Sequence, residues 1–214
     1  GDDNVAVGYN ALTTNSTGNH NTAVGHTALE GNTTANNNTA IGQLSMKDNT
    51  TGAQNTAIGT SSLQYNTTAS NNTAMGYAAL EVNTTGHSNV AVGYRALDSN
   101  TTANENIAVG FRAMEDSTTG TGNVAVGKSA LAGNTTGSYN TAVGLNALET
   151  SDVDSNTAFG TSALRNTTTG GQNVAVGRNS LLANTTGARN ISIGVNALDA
   201  CDTETDNIAI GFEA

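Results

Sequence analysis

The sequence predicts an all-β fold, a parallel β-solenoid or β-roll of about thirteen 17-residue coils, from three observations. A short motif, N-[TVI]-A-[VI]-G, recurs at a fixed interval from end to end. The residues around it are Asn, Thr, Gly and β-branched types, which are poor helix material. Finally, a chain of 214 residues with 36% hydrophobic, 4% aromatic and 11% charged content lacks the bulky side chains of a thick globular core.

The motif begins at Asn4, Asn21, Asn38, Asn55, Asn72, Asn89, Asn106, Asn123, Asn140, Asn156, Asn173, Asn190 and Asn207. Successive starts are 17 residues apart except for one step of 16, from Asn140 to Asn156. That step falls in Glu149-Thr150-Ser151-Asp152-Val153-Asp154-Ser155, where the usual N-T-T-G stretch is lost, and a segment that tolerates deletion reads as a loop. A second rhythm, Gly18, Ala35, Gly52, Ala69, Gly86, Ala103, Gly120, points to duplication of a two-motif unit. The chain starts and stops inside the pattern without a polar cap. The expected organisation is therefore one repeat domain over residues 1–214, cut from a longer chain or stacking end to end.

Each copy has a fixed grammar. Asn4 to Gly8 reads as a short strand with alternating sides. The pairs Val5 and Val7, Thr22 and Val24, Ile107 and Val109, and Ile208 and Ile210 are expected to point inward as β-branched core. The strand ends on a glycine, Gly8 through Gly211, which implies positive φ or a backbone packed too closely for a side chain. A small residue and then Leu or Met follow, as in Ala11-Leu12, Ala28-Leu29, Ser45-Met46 and Ala197-Leu198, and the Leu supplies a third core position. A polar arm, Asn-Thr-Thr-Gly or Asn-Thr-Thr-Ala, returns the chain to the next Asn. Repeats of this length are too short for the helix pairs of α-solenoids. Stacked at the strand spacing, thirteen motif starts span roughly 60 Å. Stacking aligns the motif Asn residues, Asn4 to Asn207, so that their amides can bond along the axis, and the Thr column from Thr17 to Thr136 is placed to do the same.

The middle position of the strand is Ala6, Ala23, Ala40, Ala57, Ala74, Ala91, Ala108, Ala125, Ala142, Ala158, Ala175, Ser192 and Ala209. Taken as outward-facing, this column is an expected oligomer interface, because a solvated face drifts to polar residues, and closed association of identical chains is the simplest arrangement.

Asn-Val-Ala-Val-Gly and Asn-Ile-Ser-Ile-Gly resemble the head repeats of trimeric autotransporter adhesins. The N-T-A-V-G-x-x-A-L and N-T-T-G pattern is also similar to repeats of phage tail-fibre and surface proteins that end in an intramolecular chaperone domain. The resemblance covers nearly the whole chain. It implies a left-handed β-roll, three chains side by side as a homotrimer, with the Ala column near the trimer axis. The N-T-T-G arm makes the repeat longer, and no membrane anchor, coiled-coil stalk or chaperone domain is visible in the sequence.

The chemistry-bearing residues do not form a catalytic set. His20, His26 and His87 occupy different repeat positions, and Cys201 has no His at a matching spacing. The glycines follow the β period and never form a phosphate loop. No enzyme activity, cofactor or metal is expected. Asp152-Val153-Asp154 and Asp202-Thr203-Glu204-Thr205-Asp206 alternate carboxylates as calcium loops do, but lack the glycine and closing glutamate, so they read as solvated acidic loops. Cys201, the single cysteine, excludes an internal disulfide and reads as a free thiol. The N-x-S/T pattern at Asn15, Asn32, Asn49, Asn66, Asn83, Asn100, Asn134, Asn166 and Asn184 marks candidate glycan attachment on the polar arm, and Asn37, Asn71 and Asn190 also match it. Duplication of one Asn-Thr-Thr creates every arm match at once.

A formal net charge of -10 argues against nucleic acid or an anionic membrane surface as partner, and no apolar run approaches a membrane span. The expected function is an extracellular structural or adhesive fibre segment, at a cell or virion surface, with self-association into a homotrimer or filament and a glycan or host-surface ligand. A phage tail-fibre shaft and an ice- or lattice-binding solenoid are the alternatives. Adjacent Thr residues of a strand point to opposite sides, which weakens the lattice reading.

Overall fold

The computed structural model describes Gly1–Ala214 and contains thirteen three-residue strands and no helix. In chain order they are β1 (Val5–Val7), β2 (Thr22–Val24), β3 (Thr39–Ile41), β4 (Thr56–Ile58), β5 (Thr73–Met75), β6 (Val90–Val92), β7 (Ile107–Val109), β8 (Val124–Val126), β9 (Thr141–Val143), β10 (Thr157–Phe159), β11 (Val174–Val176), β12 (Ile191–Ile193) and β13 (Ile208–Ile210). The protein is a parallel β-solenoid, and the chain divides into two compact units, Gly1–Asn106 and Ile107–Ala214. In the first, β1 to β6 pair in sequence order, parallel and in register, so that Ala23 lies beside Ala40 and Ala40 beside Ala57. In the second, β7 to β13 do the same, and the short step is absorbed without loss of register, with Ala142 beside Ala158.

Bonding along the axis extends well beyond the strands. In the coil that starts at Asn38, Thr39, Met46, Asp48 and Thr50 donate their N–H groups to carbonyls of the next coil, at Asn55, Ser62, Gln64 and Thr67. Gly42, Leu44 and Gln54 donate to the preceding coil, at Val24, His26 and Asn36. A backbone that is paired nearly all the way round needs little hydrophobic mass to hold it.

The strand glycine meets both demands expected of it. Gly25 has φ +142, and a Cβ there would stand 2.3 Å from the carbonyl oxygen of Gly42 in the next coil. Any side chain would force the coils apart. Leu29, at φ 50, adopts the left-handed conformation without being glycine, and the corresponding Leu or Met of the other coils does the same. This turn aims the side chain into the coil, where Leu29, Met46, Leu63, Leu80 and Leu97 are fully buried in the first unit, and Met114, Leu131, Leu148, Leu164 and Leu181 in the second.

The rest of the interior is small and polar. One coil buries Asn38, Ala40, Ser45, Met46, Asn49 and Gly52, while Thr39 and Ile41 flank the strand on its outside. The β-branched pairs expected as core are therefore on the outer side: Ile107 is 41% exposed, and Thr22, Val24 and Val109 are half-buried around fully buried alanines, while in the end strands Val5, Val7, Ile208 and Ile210 are exposed as well. The cause is the motif Asn. Asn38 turns inward because its Nδ2 donates to Gly52 O at 2.8 Å and its Oδ1 accepts from the N–H of Asn55 at 2.9 Å. In a strand of period two, that fixes Ala40 inside and Thr39 and Ile41 outside. A buried amide left unpaired would cost more than two half-exposed aliphatics.

A second buried amide column runs through the polar arm. Asn32, Asn49, Asn66, Asn83 and Asn100 each donate Nδ2 to the Oδ1 of the Asn one coil earlier, at 2.7 to 3.0 Å. Each also donates to the backbone carbonyl three residues on, as Asn49 does to Gly52 at 2.9 Å. In the second unit this column reads Ser117, Asn134, Ser151, Thr167, Asn184 and Cys201. Where Ser or Cys replaces Asn the chain of donors stops, and Asn134 Oδ1, Ser151 Oγ and Asn184 Oδ1 are buried without partners.

Candidate interaction surfaces

The alanine column expected to meet partner chains lies inside its own coil. Ala23, Ala40, Ala57, Ala74, Ala91, Ala108, Ala125, Ala142, Ala158, Ala175 and Ser192 are fully buried, while Ala6 is exposed and Ala209 half-buried in the first and last strands. The inward Asn sets this orientation, so these side chains do not form an outer surface.

The surface that the strands do present is apolar. Its third-position column is Val7, Val24, Ile41, Ile58, Met75 and Val92 in the first unit, and Val109, Val126, Val143, Phe159, Val176, Ile193 and Ile210 in the second. Ile41 is 39% exposed, Met75 40% and Phe159 55%. The first-position column mixes Thr with Val and Ile. Beyond the glycine stands another exposed row that includes Tyr9, Tyr77 and Tyr94. Tyr9 stacks on His26 with ring centroids 5.2 Å apart, and Tyr77 on Tyr94 at 5.3 Å. In the second unit the Lys128 ammonium lies over the Phe111 ring. Columns of like residues come into contact because coils stack in register.

The sequon asparagines need a correction. Asn32, Asn49, Asn66, Asn83, Asn100, Asn134 and Asn184 are fully buried. Their Nδ2 atoms, where a glycan would attach, are donors in the interior column or to the carbonyl three residues on. Asn15 is half-buried and bonded to Gly18 O, which leaves Asn166 exposed, because Thr167 takes the inward position in that coil. Of the other matches, Asn37 and Asn71 are exposed and Asn190 is buried.

The Thr pairs following these asparagines divide their roles. Thr33, Thr50, Thr67 and Thr84 are half-buried and donate Oγ1 to the carbonyl of the equivalent Thr in the next coil. Thr34, Thr51, Thr68, Thr85 and Thr102 form an exposed column beside them.

The acidic loops cap this Thr column. Asp152 stands one coil beyond Thr135 and accepts bonds from the N–H groups of Thr135, Thr136 and Gly137 and from both hydroxyls. Partial burial pushes its carboxyl up, but those bonds outweigh burial and hold it below the usual carboxylate range. Asp154 accepts from Ser138 N–H, and Asp202 accepts from the N–H and hydroxyl of Thr185. Asp206 pairs with Arg189 at 2.6 and 2.8 Å, which lowers its pKa. Glu204 accepts from the N–H groups of Asp202 and Thr203 and is also lowered. These carboxylates serve as hydrogen-bond acceptors for the coil before them and for their own loop. No group of three or more His, Cys, Asp or Glu side chains converges as a metal site would require.

Cys201 is a half-buried free thiol, and burial together with the nearby Glu204 carboxylate raises its pKa, which disfavours the reactive thiolate. His20 lies 3.5 Å from Asp3, and His87 contacts Ser88, so the histidines remain scattered. Charged residues do meet on the row that follows the core Leu. Arg95 grips Asp98 Oδ2 through two nitrogens at 2.8 and 2.6 Å, and Glu81, one coil away, has its pKa raised by burial and by the Asp98 carboxylate.

These features define a class of protein, a repeat-built parallel β-solenoid bonded internally by asparagine amides and apolar on its outer strand face. Comparison with known proteins finds no matching family model, no matching curated protein and no matching solved structure. No helix is long and apolar enough to cross a membrane.

Proposed function

We propose that the chain is a segment of an extracellular structural or adhesive fibre, exposed at a cell or virion surface, in which copies associate side by side, with a homotrimer as the expected assembly. The observation that carries this reading is the third-position column of the strands, which is Val, Ile, Met or Phe in every coil although it faces outward. A solvated column is free to become polar, and the neighbouring row beyond the glycine has done so at Gln43, Thr60 and Arg178. A column that stays apolar through thirteen coils fits a face covered by a further copy, with exposed Tyr rows at its margin. The role resembles that of repeat shafts and heads, where length and a repetitive surface are the function and no catalysis is required. The acidic surface fits a partner other than nucleic acid.

Sedimentation velocity on the full chain tests the association. The parent is expected to run as a trimer. Ile41→Lys with Met75→Lys, which leaves the interior untouched, is expected to give monomers with an unchanged circular dichroism spectrum. A parent that stays monomeric at every concentration would sink this reading. The exposed Thr column from Thr34 to Thr102 favours a second reading, binding to ice or another ordered lattice, for which thermal hysteresis is the measurement.

A further inference from the structure

The repeat is most irregular in the coils between Glu115 and Arg165, and an open notch lies there. The position after the core Leu carries Glu30, Lys47, Gln64, Glu81 or Asp98 in earlier coils, and the next position carries residues as large as Asp48, Tyr65 and Val82. In one coil both are small, Ala132 and Gly133, and the space their neighbours would fill is a cleft of about 370 Å³. Its two sides are built by the coil before and by the two coils after. On one side Arg112 Nε bonds Glu115 Oε2, with the Glu115 side chain only 4% exposed, and on the other Arg165 Nε bonds Glu149 Oε2 at 2.6 Å. Glu149 belongs to the shortened arm.

We propose that this notch binds a neutral sugar, one pyranose unit of a glycan, and so supplies a recognition site for the adhesive role, on which the inference rests. The chemistry selects the class. Glu115 and Glu149 each match a guanidinium, and Asp116 also lines the notch, so its charged side chains sum to one formal negative charge. An anion would meet three carboxylates, and a cation would meet two guanidiniums that already hold two of them. Vicinal hydroxyls suit the Arg165–Glu149 pair, because a guanidinium N–H donates to a sugar oxygen while the partly exposed Glu149 carboxylate accepts the hydroxyl proton, and on the other side Arg112, held by the buried Glu115, is left to donate. Glu115 and Glu149 stand two coils apart, about 10 Å at the strand spacing, which leaves room for a sugar ring between them. The cleft volume lies at the lower end of the range for small-ligand sites.

Saturation-transfer NMR on the full chain, with glucose, galactose, mannose, N-acetylglucosamine and their short oligomers as probes, tests the notch. At least one probe is expected to receive saturation at millimolar concentration. Ala132→Gln is expected to reduce that binding at least tenfold without unfolding the chain, because Gln64 already occupies the equivalent position in another coil. Arg165→Ala is expected to weaken it as well. Failure of every sugar to bind, or binding that survives Ala132→Gln, would overturn the inference. Sedimentation of the same samples separates the outcomes, since a trimer without sugar binding removes the notch and leaves the fibre reading standing.

Discussion

Replacing Asn49 with Ala removes one rung of the interior amide column. Asn49 Nδ2 donates to Asn32 Oδ1 at 3.0 Å and to Gly52 O at 2.9 Å, and its Oδ1 accepts from Asn66 Nδ2 at 2.8 Å. Gly52 O keeps a second donor, Asn38 Nδ2. Asn32 Oδ1 and one N–H of Asn66 lose their partners, and both residues are fully buried. At about 1–3 kcal/mol for each orphaned buried group, the expected loss is about 2–6 kcal/mol. A central value of about 4 kcal/mol lowers the melting temperature by about 8–16 °C for a chain of this size. Thr34→Ala, on the exposed column, is the control and is expected to stay within about 0.5 kcal/mol of the parent. Urea unfolding followed by circular dichroism measures both, and unchanged slopes would show that the same unfolding is being compared. If Asn49→Ala matches Thr34→Ala, the amide column of the polar arm contributes nothing to stability.

Ser151→Asn should repair the column in the second unit, where Asn134 Oδ1 and Ser151 Oγ are both orphaned. The next coil presents Thr167 rather than Asn, so a gain of about 1 kcal/mol in urea unfolding is expected, with no gain overturning the repair. Glu81 provides a pH test. Its folded pKa is raised, so the fold binds this proton more tightly than the unfolded chain does, and its contribution to stability falls as pH rises from the ordinary Glu value through the raised one. Glu81→Gln should remove that slope and raise the melting temperature at neutral pH, and a parallel pair of melting curves across the window would contradict it.

Much of the fold was legible in the letters. The 17-residue interval located all the strands, and the glycine at each strand end is required both by positive φ and by a neighbouring carbonyl, as at Gly25. The facing of the strands was not legible from hydrophobicity. Val and Ile beside a small Ala invite the larger residues to be placed inside, yet a coil of this girth holds one Leu and little else of that size. The informative letter was Asn. Its constancy at Asn21, Asn38 and Asn55 reflects a buried amide, and strand parity then carries Ala23, Ala40 and Ala57 inward with it. The sequons were misread for a related reason, since Asn-Thr-Thr spells both a glycan acceptor and an inward amide followed by a hydroxyl that bonds to the next coil. The notch near Ala132 was hidden because it depends on residues brought together from four successive coils.

A stack of near-identical coils also has a problem of addressing during folding. Any coil can accept any other as its neighbour, since the same columns meet and the same bonds form, so a slip by one whole repeat forfeits little. Misaligned stacks and exchange of coils between chains are the traps that follow. The shortened arm between Asn140 and Asn156 breaks this degeneracy. There the Asp152 carboxylate accepts from Thr135, Thr136 and Gly137, where a full-length arm offers a backbone carbonyl instead, as Thr67 does to Thr50 and Thr51, and a slipped neighbour would lose these bonds. The one irregular step thus acts as a register mark, giving the second unit a single correct alignment among many similar ones.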